Sequence, residues 1–115
     1  MRTINFTATA FDEYNRWKRD NKKLQDRIAD LISDILRDPF DGIGKPEPLK
    51  HHLKGFWSRR ITDEHRIVYQ VTETAINIIL VKTIIKEPYS IVTNYFLNFA
   101  TILSKPWIGF VTKQL

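Results

Sequence analysis

Five apolar residues, Leu24, Ile28, Leu31, Ile32 and Ile35, recur at helical spacing, and the pattern stops at Asp38-Pro39. A stripe of that period buries one face of a helix. A proline disfavours helical geometry at the residue before it, so the helix ends there. Beyond residue 54 the pattern changes. Residues 55–61 contain Phe56, Trp57 and Ile61, residues 65–71 contain Ile67, Val68, Tyr69 and Val71, and residues 75–81 are nearly all apolar. The breaks at Thr62-Asp63-Glu64 and Thr72-Glu73-Thr74 suit hairpin loops. A chain with this change of period has to pack a helical layer against a sheet.

The residues upstream complete the layer. Ile4 and Phe6 fall on one side of a short strand over residues 2–7. Thr9-x-x-Asp12 resembles a capping box with Asp in place of Glu. It predicts a first helix carrying Phe11, Tyr14 and Trp17, whose rings are expected in the core. Asp20-Asn21 breaks that helix and can cap the second. The order β-α-α-β-β-β defines an α+β domain, an antiparallel sheet with an antiparallel pair of N-terminal helices packed on one face. With 43% apolar residues in a 115-residue chain, there is enough material for one compact core.

After residue 82 the character shifts. Lys82, Lys86, Lys105 and Lys113 face a single acid, Glu87, and Pro88 and Pro106 bound an apolar run interrupted by Asn94 and Asn98. The run is too short and too polar to span a bilayer. Ile91, Tyr95, Phe99 and Ile102 would line one face of a helix if it formed one. The expected division is a domain over residues 1–82 and a C-terminal extension over residues 83–115.

The net charge of +5 favours polyanions or acidic partners. The chain has no cysteine, so neither a disulfide framework nor a thiolate metal site is available. The N-terminal residues lack the apolar run of a signal peptide. The cytoplasm is the expected compartment, and neither a membrane nor a cofactor is expected. His51 and His52 have no third ligand at useful spacing for a metal. His65, opening a strand, is read as a structural hydrogen-bonder.

The chemistry concentrates between residues 42 and 69. Lys45, Lys50, Lys54, Arg59, Arg60 and Arg66 are interleaved with Phe56, Trp57 and Tyr69. Cations meet phosphates and rings stack on bases, so Lys45, Lys54, Arg59 and Trp57 are candidate RNA contacts. If strands 55–61 and 65–71 pair across a short loop, Arg60 and Arg66 lie opposite each other, with Ser58 and Val68 on the same face. Like charges so opposed are destabilising, and an anion between them would relieve the repulsion. The alternative is that one arginine pairs with Asp63, Glu64 or a helix acid. Glu47 lies between Pro46 and Pro48, which hold the backbone extended. Lys45 and Lys50 beside it favour its ionised form. A fixed carboxylate near paired arginines is what RNA cleavage by internal transesterification requires. The alternative is an ordinary solvated loop acid.

Three segments carry a resemblance. They are Gly42-Ile43-Gly44-Lys45-Pro46-Glu47-Pro48-Leu49-Lys50-His51, Leu53-x-Gly55-Phe56-Trp57-Ser58-Arg59-Arg60-Ile61 and Glu64-His65-Arg66-Ile67-Val68-Tyr69. Together they resemble the YoeB/Txe toxins over residues 1–81. The resemblance implies a RelE-like fold and a toxin–antitoxin module that cleaves mRNA on the ribosome at the codon being read. It implies Glu47 as general base, Arg66 as the group stabilising the phosphate, and Arg60 and Lys50 as added positive charge. It implies mRNA, the ribosome and an acidic, partly disordered antitoxin as partners, and it allows a homodimer.

The ending departs from that family. An Arg-aromatic-His-Tyr ending, whose histidine is the family's general acid, is expected where this chain has Lys82, Thr83, Ile84 and Ile85. Neither isoleucine can donate a proton. Two readings follow: a nuclease weakened by the missing acid, or a degenerate toxin that binds antitoxin or ribosome without cutting. A frameshift near residue 81 would account for the abrupt change, and an alternative frame of the gene would then encode the missing ending.

Overall fold

A computed structural model describes residues 1–50, 53–84 and 110–113. The elements run β1 (Thr3–Thr7), α1 (Ala8–Asp20), α2 (Lys22–Arg37), β2 (Glu47–Pro48), β3 (Phe56–Arg60), β4 (His65–Val71), β5 (Ala75–Ile84) and β6 (Phe110–Lys113). His51, His52, and the expected helix face of Ile91, Tyr95, Phe99 and Ile102 lie outside the described residues.

The strands form one sheet in the order β2-β3-β4-β5-β1-β6. The run β3 to β5 is antiparallel, as expected, and Glu47–Pro48, not expected as a strand, pairs antiparallel with β3. β1, however, pairs with β5 in parallel, Ile4 opposite Ile76 and Phe6 opposite Ile78. The sheet is therefore mixed. Parallel neighbours need a long crossover, and here the helices and three strands that follow β1 bring the chain back alongside it. The boundary expected at residue 82 falls inside β5. Four residues of the expected extension add a strand to the outer edge of β1, Ile4 opposite Lys113 and Thr7 opposite Phe110.

The helices begin where side chains can cap them. The first cap is Thr7, two residues earlier than the Thr9 box: its hydroxyl accepts from the Ala10 amide at 3.0 Å. That hydroxyl also donates to the Ile79 carbonyl at 2.9 Å, so strand pairing and capping favour the same residue. Asn21 caps α2 by accepting from the Leu24 amide, and Asp38 closes it ahead of Pro39.

Helix residues Ala10, Trp17, Ile28, Leu31, Ile32 and Ile35 pack with Ile4, Phe6, Ile67, Tyr69, Ile76, Ile78 and Val81 of the sheet. Of the expected aromatic stripe only Trp17 is buried, its indole N–H donating to the Val81 carbonyl at 2.9 Å. Tyr14 packs at the margin, and Phe11 is exposed but sets its ring edge against Phe6. Register shifts between Arg66 and Tyr69 insert extra residues into β5. A bulge of this kind breaks strict alternation. Ile79 and Leu80 accordingly join a second cluster, with Leu53 and Val68, on the face away from the helices.

Candidate active site on the sheet face away from the helices

The second face carries the charged residues. β3 and β4 pair so that Arg60 stands opposite Arg66 and Ser58 opposite Val68, as the spacing predicts. Glu47 and Pro48 form the short edge strand β2, with Glu47 opposite Ser58. Directly paired residues share a face, so Glu47, Ser58, Arg60 and Arg66 occupy neighbouring positions there.

The electrostatics are consistent with that placement. Partial burial, and then the Arg60 charge, lower the Arg66 pKa from its ordinary value, while Glu47 and Asp63 work against that shift. One guanidinium nitrogen of Arg66 donates to the carbonyls of Thr62 at 2.7 Å, Asp63 at 3.1 Å and His65 at 3.1 Å. The turn thus orients Arg66 through backbone oxygens, and the described residues contain no ion pair between Arg66 and Asp63 or Glu64. Glu47 is exposed, as are Lys45, Lys50 and Lys54 around it.

The loop feeding Glu47 onto the sheet has a tight geometry. The Gly44 carbonyl accepts from the Arg60 amide at 2.6 Å. Gly44 has φ +78°, and a Cβ there would lie 2.7 Å from Leu31 Cδ2. Lys45 follows with φ 51°, left-handed backbone in a non-glycine residue. Pro46 and Glu47 come next, and the Leu49 amide donates to the Phe56 carbonyl at 2.9 Å.

Two of the expected RNA contacts are corrected. Arg59 points to the helix side and is 0% exposed, so it cannot reach RNA. Its Nε donates to the Tyr69 hydroxyl at 3.2 Å. Nη1 contacts Asp34 and the Ile43 carbonyl, and Nη2 the carbonyls of Asp38 and Asp41. Trp57 also turns to the helix side, half-buried against the main core, with its ring 5.1 Å from that of Phe40. Alternation places both residues opposite Ser58 and Arg60. His65 likewise faces the helices, its ring edge 5.2 Å from Trp17 and its Nδ1 buried without a hydrogen-bond partner among the described residues. The hydrogen bond expected of His65 is thus not made at Nδ1, and its ring packs against Trp17 instead.

Sequence reasoning missed Asp34 and Tyr69. Asp34 is placed on the polar face of α2 by its period, yet its carboxylate accepts from Arg37, from the Ile43 amide at 2.9 Å and from Arg59. Burial opposes its charge, but these hydrogen bonds outweigh it and hold the pKa at about 2. Burial pushes the Tyr69 phenol up, partly opposed by Arg59. The hydroxyl therefore stays protonated and donates to the Pro39 carbonyl at 2.7 Å. The available signal was alternation along β3, which sets Arg59 in register with the apolar Trp57 and Ile61.

A two-helix α+β domain with a mixed sheet is the RelE-like arrangement. The chain belongs to the YoeB-like toxin family of bacterial type II toxin–antitoxin systems, whose family model matches residues 6–84. Toxin YoeB of Escherichia coli (strain K12) is 54% identical over 71 residues, which cover 62% of this chain and 84% of that protein. The YoeB/ParE toxin from Agrobacterium tumefaciens is 41% identical and superposes with a TM-score of 0.68, covering 72% of this chain and 98% of that one. YoeB in the heterotetrameric YoeB-YefM complex from Staphylococcus aureus is also 41% identical, with a TM-score of 0.65 over 71% of this chain and 95% of that one.

Proposed function

We propose that this toxin is an endoribonuclease that cleaves mRNA on the ribosome. The observation that carries the reading is the placement of Glu47 on the same sheet face as the opposed Arg60 and Arg66, with its charge felt by Arg66. Glu47 takes the proton from a ribose 2′-hydroxyl, and the freed oxygen attacks the adjacent phosphorus. The bond to the 5′-oxygen breaks, leaving a 2′,3′-cyclic phosphate and a 5′-hydroxyl, whose proton comes from a general acid or water. Arg66 and Arg60 face the charge that builds on the phosphorane oxygens, with Lys50 adding to the local positive potential. Lys45 and Lys54 contact flanking phosphates. The reaction is proposed to run in the cytoplasm without a cofactor. Among the described residues no helix is long and apolar enough to cross a membrane.

The proposed protein partner is an acidic antitoxin. The Staphylococcus aureus relative is solved with YefM, and the net charge of +5 suits such a partner. A homodimer is proposed by the same route, from the Staphylococcus aureus YoeB dimer.

A second reading is favoured by Lys82-Thr83-Ile84-Ile85, which stand where the family ends in Arg-aromatic-His-Tyr. Loss of a general acid lowers a rate by about 10²–10⁴, so this chain would bind antitoxin or ribosome and cut slowly or not at all. The residues from 83 onward are then an addition to the toxin domain, created by a frameshift. Reading the other two frames of the gene downstream of residue 81 tests the origin, which fails if neither encodes the ending.

Induced expression tests the function. The nuclease reading expects growth arrest with new mRNA 5′ ends at codons, both abolished by Glu47→Gln and by Arg66→Ala. Arrest that survives both substitutions overturns the catalytic assignment. No arrest, with antitoxin binding retained, selects the second reading.

A further inference from the structure

We infer that Arg59, gripped by Asp34 and Tyr69, is a positioning residue that sets where Glu47 lands on the sheet. The inference rests on the nuclease reading and adds to it a part of the molecule that touches no RNA.

The loop from Asp38 to Ile43 is wound around one buried guanidinium. Arg59 donates to carbonyls at Asp38, Asp41 and Ile43. Tyr69 fixes Pro39 from the next strand, and Asp34 fixes the Ile43 amide from α2. The winding leaves no space for a side chain at Gly42, where a Cβ would sit 2.0 Å from Asp34 Oδ2. The adjoining Arg60 then holds Gly44 through its amide. Two consecutive residues of β3 therefore grip the loop, one by its side chain on the helix face and one by its backbone. Only Lys45 and Pro46 separate that grip from Glu47, and a proline adds little slack.

A charge buried for stability alone could be replaced by packed apolar residues at little cost. The distribution of these hydrogen bonds argues for more. Arg59 contacts the loop at three carbonyls, and the loop carries the acid that has to meet Arg60 and Arg66. The β2–β3 pairing sets Glu47 opposite Ser58, and the chain that precedes it fixes how the exposed acid enters that ladder.

The test uses Tyr69→Phe, which keeps the ring in the core and removes only the hydroxyl, with Asp34→Asn as a second variant. Amide hydrogen exchange on the full chain reads the clamp without any need for activity. Exchange at residues 41–49 is expected to quicken while amides of β4 and β5 keep their protection. Unchanged protection in the loop, or an equal loss throughout the sheet, overturns the clamp. Single-turnover cleavage of a defined message on ribosomes reads the positioning. Tyr69→Phe is expected to lower the rate roughly ten- to a hundredfold, the scale of a small misplacement of a reacting group, with KM little changed. Combined with Glu47→Gln, the same substitution should change the residual rate by less than about twofold, because effects that act through one residue do not add. Additive losses overturn positioning through Glu47. A Glu47→Gln chain as active as the parent overturns the nuclease reading instead, and leaves the exchange result standing.

Discussion

Arg60 and Arg66 stand directly opposite each other across the β3–β4 ladder, on the face away from the helices. Each is half-exposed, and among the described residues neither makes an ion pair with a carboxylate. Opposed like charges destabilise a sheet, and the Arg66 pKa is lowered in part by its neighbour. Stability and function should therefore respond in opposite directions. Arg60→Gln is expected to stabilise the free chain by about 0.2–1 kcal/mol at low salt, with the gain shrinking as salt rises. The same change should weaken RNA binding and cleavage. Urea denaturation at two ionic strengths checks the first part, and a loss of stability at low salt would show that the repulsion is already neutralised in the free protein.

The Asp34 carboxylate carries a pH dependence of definite sign. Its pKa is held at about 2, below the 3.8 of the free group. The folded state binds the proton less well than the unfolded state, so the contribution is fully present above about pH 4. It fades as the pH falls toward 2. Linkage puts this contribution on the order of 2 kcal/mol. Asp34→Asn should therefore flatten the acid limb of the stability curve between pH 4 and pH 2, while costing stability at pH 7. A variant whose acid limb parallels that of the parent would remove Asp34 from the account.

The contrast between Arg59 and Arg60 shows how far the sequence could be read. The period of two put Ser58, Arg60, Arg66 and Val68 on one face, and that is where they are. The same alternation sends Arg59 and Trp57 the other way, but a basic or aromatic side chain amid RNA-like composition invites a surface role. What decided the matter was Asp34, twenty-five residues earlier, whose carboxylate meets Arg59 only after α2 has packed on the sheet. Local period cannot register such a partner. The parallel β1–β5 pairing was hidden for a related reason, because strand direction follows from how the whole crossover returns. The capping-box pattern at Thr9 is local, whereas the second bond that makes Thr7 the cap reaches Ile79 across the fold.

Gly44, like Gly42, stands where the loop leaves no room for a side chain. Its φ is +78°, and a Cβ would meet Leu31 Cδ2 at 2.7 Å, the Arg60 carbonyl at 3.0 Å and Arg59 Cβ at 3.3 Å. Both the backbone conformation and the space favour glycine. Gly44→Ala should cost about 1–3 kcal/mol through strain and crowding. It should also displace Glu47, so cleavage is expected to fall further than the lost stability explains. Comparing activity well below the melting temperature with the unfolding midpoint separates the two effects. A fully active, equally stable Gly44→Ala chain would mean that the loop rearranges without consequence.

Thr7 joins three elements through one hydroxyl. It ends β1, accepts from the Ala10 amide in the first turn of α1, and donates to the Ile79 carbonyl in the bulged part of β5. At 3% exposure no water can take over these bonds. Thr7→Val keeps the shape and leaves an amide and a carbonyl unsatisfied, which should cost about 1–3 kcal/mol. Thr7→Ser keeps both bonds and loses one methyl group, for a cost near 1 kcal/mol. The order of the two variants is the informative outcome, because valine preserves more apolar contact than serine does. If burial dominates here, valine is the milder change; if the hydroxyl does, serine is. Urea midpoints at unchanged slope decide between them, and we expect serine to lie closer to the parent.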